Sequence, residues 1–79
     1  MSVTAIRDRI RELRALPSPA ERRRIRVDAG VSLLDVAAVL GVSHTAVSAW
    51  ERGLRTPNRR LLGPYLQVLR VMQEALRDP

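Results

Sequence analysis

Apolar residues recur at intervals of three and four along most of the chain, which is the spacing of one face of an α-helix. No stretch alternates apolar and polar residues for long, and no hairpin dipeptide such as Asn-Gly occurs. The pattern predicts five helices, at about residues 2–16, 18–30, 33–40, 44–52 and 58–78. The chain is therefore predicted to be a single compact all-α domain over residues 1–79.

Capping residues support most of these boundaries. Ser2, Ser18, Ser32 and Ser43 each stand where a side-chain oxygen can cap a helix start. Glu21 and Asp35 lie three residues after two of these serines, as in a capping box. Three glycines suit the ends of the second, third and fourth helices: Gly30, Gly41 and Gly53. The last helix has two candidate starts, because Asn58 can cap it but Gly63-Pro64 is also a plausible beginning.

Composition excludes several kinds of site. The 79 residues include no Cys and one His, so neither a disulfide nor a metal cluster is expected. No Gly-rich phosphate loop and no pair of acidic residues with a reason to converge is evident, so we predict no catalytic residue, no cofactor and no small-molecule ligand. No apolar run approaches the ~20 residues that span a bilayer, and no signal-peptide pattern opens the chain. A cytoplasmic protein without a membrane partner is expected.

The charge pattern points to a polyanionic partner. All fourteen basic residues are Arg, and the formal net charge is +6. Codon usage in a GC-rich genome can produce such a bias, but Arg also matches phosphate groups and guanine edges with two hydrogen bonds. Nucleic acid is the partner that this charge favours.

The third and fourth predicted helices are separated only by Gly41-Val42-Ser43. A turn this short requires the helices to cross steeply, with small or apolar residues at the crossing. Such residues are present on both sides of the turn: Val36, Ala37, Leu40, Val42, Val47 and Trp50. Two ordinary amphipathic helices of a bundle are the alternative to a helix-turn-helix.

Residues 26–57, RVDAGVSLLDVAAVLGVSHTAVSAWERGLRTP, resemble the Cro/C1-type (Xre-like) helix-turn-helix family. Trp50-Glu51-x-Gly53 and Pro57 fall in the family's register with Ala37, Gly41 and Val47. The resemblance implies a lambda-repressor-like core over residues 18–57, with an extra N-terminal helix (2–16) and a C-terminal helix (58–78). It also implies a sequence-specific double-stranded DNA-binding regulator, most simply a small Cro- or immunity-repressor-like repressor in a bacterial cell or a phage-infected host, associated with the nucleoid.

The resemblance places the fourth helix in the major groove of DNA. The residues expected to read bases are Ser43, His44, Thr45, Ser48 and Ala49. His44 could instead be a surface histidine without a role, and Ser48 could serve helix packing. Residues 54–60 carry three positive charges and no negative one, which favours phosphate binding there. The phosphate-binding residues expected are Arg52, Arg55, Arg59 and Arg60, with Arg22 and Arg23 on the preceding helix.

Two further features follow from the comparison with the family pattern. The resemblance implies a salt bridge between Arg26 and Glu51 that is architectural. Leu33 occupies the position where the family often has a phosphate-contacting Gln, and Leu34 follows it. These leucines could shift DNA docking, or they could pack against the N-terminal helix.

The quaternary predictions leave alternatives open. The apolar stripe of the N-terminal helix (Val3, Ile6, Ile10, Leu13 and Leu16) could fold onto its own domain or form a dimer contact. The last helix, with Tyr65, Leu69 and Met72, is a second dimer candidate. A homodimer would bind a palindromic or repeated operator. An antitoxin or another protein-interaction module with the same fold is the alternative function.

Overall fold

The computed structural model describes residues 2–77 and contains five helices, with no strand in that range. They are α1 (Val3–Ala15), α2 (Pro19–Asp28), α3 (Leu33–Leu40), α4 (His44–Glu51) and α5 (Arg59–Arg77). The all-α, five-helix prediction is confirmed. Residue 78, the predicted end of the last helix, lies outside the described residues.

Serine side chains begin the first four helices, as predicted. The hydroxyl oxygens of Ser2, Ser18, Ser32 and Ser43 each accept a hydrogen bond from the backbone N–H three residues later. The capping box at Ser32 is complete, because the Asp35 carboxylate also accepts from the Ser32 N–H at 3.0 Å. These hydrogen bonds from Ser32 lower the pKa of Asp35. No reciprocal bond from Glu21 is present, since its carboxylate instead pairs with Arg24.

The start of α5 is at the earlier of the two candidate positions. The Asn58 side chain caps the helix by accepting from the Leu61 N–H at 3.1 Å. Pro64 lies inside the helix, in its second turn. Proline lacks the N–H that would donate to the carbonyl of Arg60, and its ring crowds that carbonyl. Because Arg60 is exposed, water can satisfy that carbonyl and the helix continues.

The short turn between α3 and α4 produces the predicted steep crossing. The two helices are bent by 112° relative to each other, within the range for a helix-turn-helix pair. Gly41 ends α3 in the left-handed conformation (φ +68°), and the Val42 N–H donates to the Ala37 carbonyl at 3.0 Å. Ala37 is itself buried, so its small side chain permits the close approach.

The core lies between α2, α3, α4 and α5. Its buried apolar residues are Ile25, Val36, Ala37, Val47, Trp50, Tyr65, Leu69 and Met72. The rings of Trp50 and Tyr65 lie 4.8 Å apart between centroids. Burial of Tyr65, Leu69 and Met72 removes these three from any dimer face, contrary to one of the alternatives above.

Helix α1 packs against α5 and against no other helix of the described chain. Leu16, just after α1, packs on the core, whereas no residue within α1 is buried. The suggestion that Leu33 and Leu34 pack on α1 is therefore wrong. Leu33 packs on the core of its own domain, and Leu34 is 66% exposed.

No single helix in residues 2–77 has the length and apolar composition needed to cross a membrane. The bent pair of α3 and α4 passes that test when the two helices are counted together, by length and composition only.

Candidate nucleic-acid interface

Helix α4 has one face in the core and one face in solvent. Val47, Trp50 and Glu51 point inward and are buried. Ser43, His44 and Thr45, at the N-terminal end, are exposed. The helix therefore presents polar side chains at its tip while its other side holds the core together.

A first groove lies between α4 and the loop that follows it. It has a volume of about 330 Å³ and is lined by Ser43, Thr45, Ala46, Ala49, Arg52, Leu54 and Arg55. Leu54 is 67% exposed and is not among the residues predicted to contact DNA. Its only signal in the sequence is an apolar residue placed inside a basic loop. The groove combines two cations with hydroxyl groups and one exposed apolar side chain.

A second groove lies on the opposite side of α4, toward α2 and α3. It is lined by Arg23, Arg26, Leu33, Ser48, Glu51 and Arg52. Arg52 borders both grooves, and the exposed side chains of Arg23 and Arg55 stand on either side of it. Three cations therefore surround the outward face of α4. Such a surface suits a polyanion that straddles the helix.

The structure does not bring all predicted contact residues to these grooves. His44 is exposed at the tip of α4 but lines neither groove. Arg59 and Arg60 are exposed in the first turn of α5 and likewise line neither. Their DNA-contacting roles remain predictions. Ser48 is half-buried in the second groove, which leaves both of its proposed roles open.

Arg26 and Glu51 form an ion pair with two hydrogen bonds. Arg26 Nε donates to Glu51 Oε2 at 2.6 Å, and Arg26 Nη2 donates to Glu51 Oε1 at 2.9 Å. The remaining terminal nitrogen of Arg26 donates to the Val31 carbonyl at 2.9 Å. The two side chains are only 12% and 5% exposed. The hydrogen bonds to Glu51 raise the pKa of Arg26, and the pair ties α2 to the inner side of α4.

Arg22 does not face solvent, so the prediction that it binds phosphate is corrected. Its Nε donates to the Pro17 carbonyl at 2.7 Å, and its Nη1 donates to the Trp50 carbonyl at 2.8 Å. The residue is buried, and this burial lowers its pKa. Arg22 therefore connects the α1–α2 linker to the C-terminal end of α4. Its spacing of four residues from Arg26 places both on the inward face of α2, a signal that could have identified it.

Ala49 also differs from the prediction that it reads bases. It is only 8% exposed. Its carbonyl accepts from the Leu54 N–H at 2.9 Å and from the Arg55 N–H at 3.4 Å. Ala49 still lines the first groove, but it offers little surface for contact with a base. Ala49 instead anchors the loop that carries Arg55.

The Tyr65 phenol lies near the ion pair of Arg26 and Glu51, and its pKa is strongly shifted. Its hydroxyl is buried without a hydrogen-bond partner among the described residues. Burial, together with the negative charge of Glu51, raises the pKa of Tyr65 to about 12, although Arg22 and Arg26 oppose the shift. The neutral phenol is therefore the form that the fold favours.

We expect stability to depend on pH in the alkaline range through Tyr65. The raised pKa means that this contribution is fully present below pH 10, the ordinary value for tyrosine, and is lost as the pH rises toward about 12. Tyr65 is the only tyrosine, so the ultraviolet absorbance of tyrosinate reports this group alone. A titration midpoint at the ordinary value in folded protein would contradict the burial of the phenol.

Among residues 2–77, no group of three or more His, Asp or Glu side chains is placed to hold a metal ion.

A family model described as helix-turn-helix matches residues 23–71, more than half of the chain. No curated protein and no solved structure matches the chain. The matched segment includes α3, α4 and both grooves but leaves out α1.

Proposed function

Because the chain belongs to the Cro/C1-type helix-turn-helix family of DNA-binding transcription regulators, we propose that it is a sequence-specific repressor that inserts α4 into the major groove of an operator. The observation that carries this proposal is the outward face of α4, where exposed polar side chains lie between flanking arginines. Phosphate contacts on both sides would hold the helix in register while its tip reads base edges.

The proposed division of roles follows exposure. Ser43, His44, Thr45 and Ser48 would read bases, since hydroxyl and imidazole groups can donate to or accept from base edges. Arg23, Arg52 and Arg55 would contact phosphates at the two grooves, with Arg59 and Arg60 reaching the backbone farther along the duplex. Leu54 adds an apolar contact for a thymine methyl group or a sugar at the rim of the first groove.

Repression would follow from occupation of a promoter by two copies. In a two-fold arrangement the two copies of α4 would lie about one turn of DNA apart, ~34 Å, on a palindromic or repeated operator. A cytoplasmic protein acting at the nucleoid fits this role. The runner-up function, an antitoxin or another protein-interaction module, is favoured by one observation, the exposed apolar row of α1.

Selection of duplexes from a random DNA pool, followed by affinity measurements at two salt concentrations, tests the proposal. We expect one enriched motif and an affinity that falls steeply as salt rises. Thr45→Ala should reduce the binding free energy for that motif by about 1–3 kcal/mol and relax the preference at one base position. Thr4→Ala, a matched change on α1, should leave both unchanged. Salt-sensitive binding without an enriched motif would contradict the sequence-specific repressor.

A further inference from the structure

Helix α1 carries a row of apolar residues that its own domain leaves in solvent. Val3 is 77% exposed, Ile6 47%, Ile10 46% and Leu13 41%. The helix packs on α5 through a different side, where the Glu12 carboxylate lies beside Gly63. The row is therefore an unpartnered face of a helix that is otherwise docked.

The spacing of this row is that of a coiled-coil seam. The intervals from Val3 to Leu13 are three, four and three residues, which are the a and d positions of two successive heptads. A seam this narrow fits the groove of one other helix, whereas a helix that lies in a membrane surface needs a broader apolar face. Within this 13-residue helix the row from Val3 to Leu13 is about 15 Å long, enough for a short, reversible contact.

Every charged residue at a position that flanks the seam is basic. Arg7 and Arg14 occupy e positions and Arg9 a g position. The two acidic residues of the helix, Asp8 and Glu12, lie at the f and c positions, away from the seam. Arg9 is half-buried with its Nη1 shielded from solvent, so Arg7 and Arg14 are the exposed cations beside the seam. Because e residues face each other in an antiparallel pair of helices, a second copy of α1 in that orientation would bring these arginines against arginines.

We propose that the seam of α1 docks an amphipathic helix of another protein, with apolar a and d residues and Asp or Glu at its flanking positions. Charge complementarity selects this partner over a second copy of the chain, since only acidic flanks turn Arg7 and Arg14 from a repulsive into an attractive element. The surface lies outside the segment that matches the helix-turn-helix family model, so this inference does not depend on DNA binding.

The test uses the full chain and two synthetic three-heptad peptides with Leu at a and d, one with Glu and the other with Lys at e and g. Binding is followed by fluorescence anisotropy of the labelled peptide. We expect the Glu peptide to bind and the Lys peptide to bind about 5-fold more weakly or not at all. Equal binding of both peptides, or binding of neither, would overturn the proposal.

Paired variants locate the contact. Ile6→Glu with Ile10→Glu should weaken binding of the Glu peptide by about 10-fold or more, whereas Thr4→Glu with Ala15→Glu, which adds the same charge to exposed positions off the seam, should weaken it much less. Arg7→Glu with Arg14→Glu should reverse the preference toward the Lys peptide. An unchanged helical circular-dichroism spectrum and thermal unfolding curve would show that each variant is folded. If both Glu pairs weaken binding equally, the seam is not the docking surface.

Two other occupants give distinct results, each of which contradicts the proposal. Sedimentation that shows a dimer of the chain, dissociated by Ile6→Glu with Ile10→Glu, would assign the seam to a second copy. Binding to phosphatidylglycerol vesicles without binding to the Glu peptide would assign it to a lipid surface.

Discussion

Replacing Glu51 with Ala is expected to lower the free energy of unfolding by about 3 kcal/mol or more, because it leaves the Arg26 guanidinium shielded and without its carboxylate partner. For a domain of this size, that loss corresponds to a fall in Tm of roughly 12–24 °C. Thermal and urea unfolding, followed through the fluorescence of Trp50, the only tryptophan, measure it directly.

The chain contains a matched control for this variant. Glu21 pairs with Arg24 at 2.5 Å, but the two side chains are 43% and 67% exposed. Because exposed ion pairs contribute little to stability, Glu21→Ala should lower the free energy of unfolding by about 0.5 kcal/mol or less. Equal losses for Glu21→Ala and Glu51→Ala would contradict the architectural role of the shielded pair.

A second pair of variants separates geometry from charge at Glu51. Glu51→Gln retains two polar atoms near Arg26 and should lose less stability than Glu51→Ala, provided that both fold. Replacing Arg26 with Met and Glu51 with Leu together should restore part of the loss, since removing both charges leaves none stranded. The restoration will be partial, because the bond from Arg26 to the Val31 carbonyl is lost as well.

Replacing Arg52 and Arg55 together with Ala is expected to weaken operator binding on the order of 100-fold at moderate salt, because each guanidinium would lose a charge-assisted contact with phosphate. Both residues line the groove between α4 and the following loop, and both are exposed. The slope of log affinity against log salt should fall by about 2. Specificity should change little, because phosphates carry no sequence information.

Arg70→Ala with Arg77→Ala is the control for net charge. These residues are exposed on α5 and line neither groove of α4. The control removes the same two positive charges, so any effect of total charge alone appears in both double variants. If both lower the affinity and the salt slope equally, the arginines beside α4 act only through the general field of the protein.

Local features of the structure were predictable because they depend on near neighbours in the sequence. Each serine cap satisfies an N–H three residues away, and Gly41 ends α3 through its own backbone conformation. The short turn after Gly41 implied the steep crossing before any tertiary contact was known. The start of α5 was the exception, since Asn58 and Gly63-Pro64 offered two local solutions of similar quality.

The inward and outward faces of the arginine-rich helices were harder to predict. Arg22, Arg23 and Arg24 are adjacent and chemically identical, yet the first is buried against the Trp50 carbonyl and the other two are exposed. Ala49 likewise has a small side chain that would suit either close approach to DNA or packing. Only the packing of α4 in the whole domain, which leaves Ala49 8% exposed, determines which of these occurs.

The sequence by itself determined the five helices, their serine caps, the helix-turn-helix crossing and the basic character of the segment around α4. These depend on periodicity, backbone hydrogen bonding within a few residues and net charge, all of which are local or additive quantities. Only the tertiary structure decided that Arg22 is internal, that Ala49 is buried, and that α1 docks on α5 with its apolar row in solvent. Those outcomes depend on which surfaces meet between distant segments, where burial, desolvation and hydrogen-bond partners are set by the whole fold.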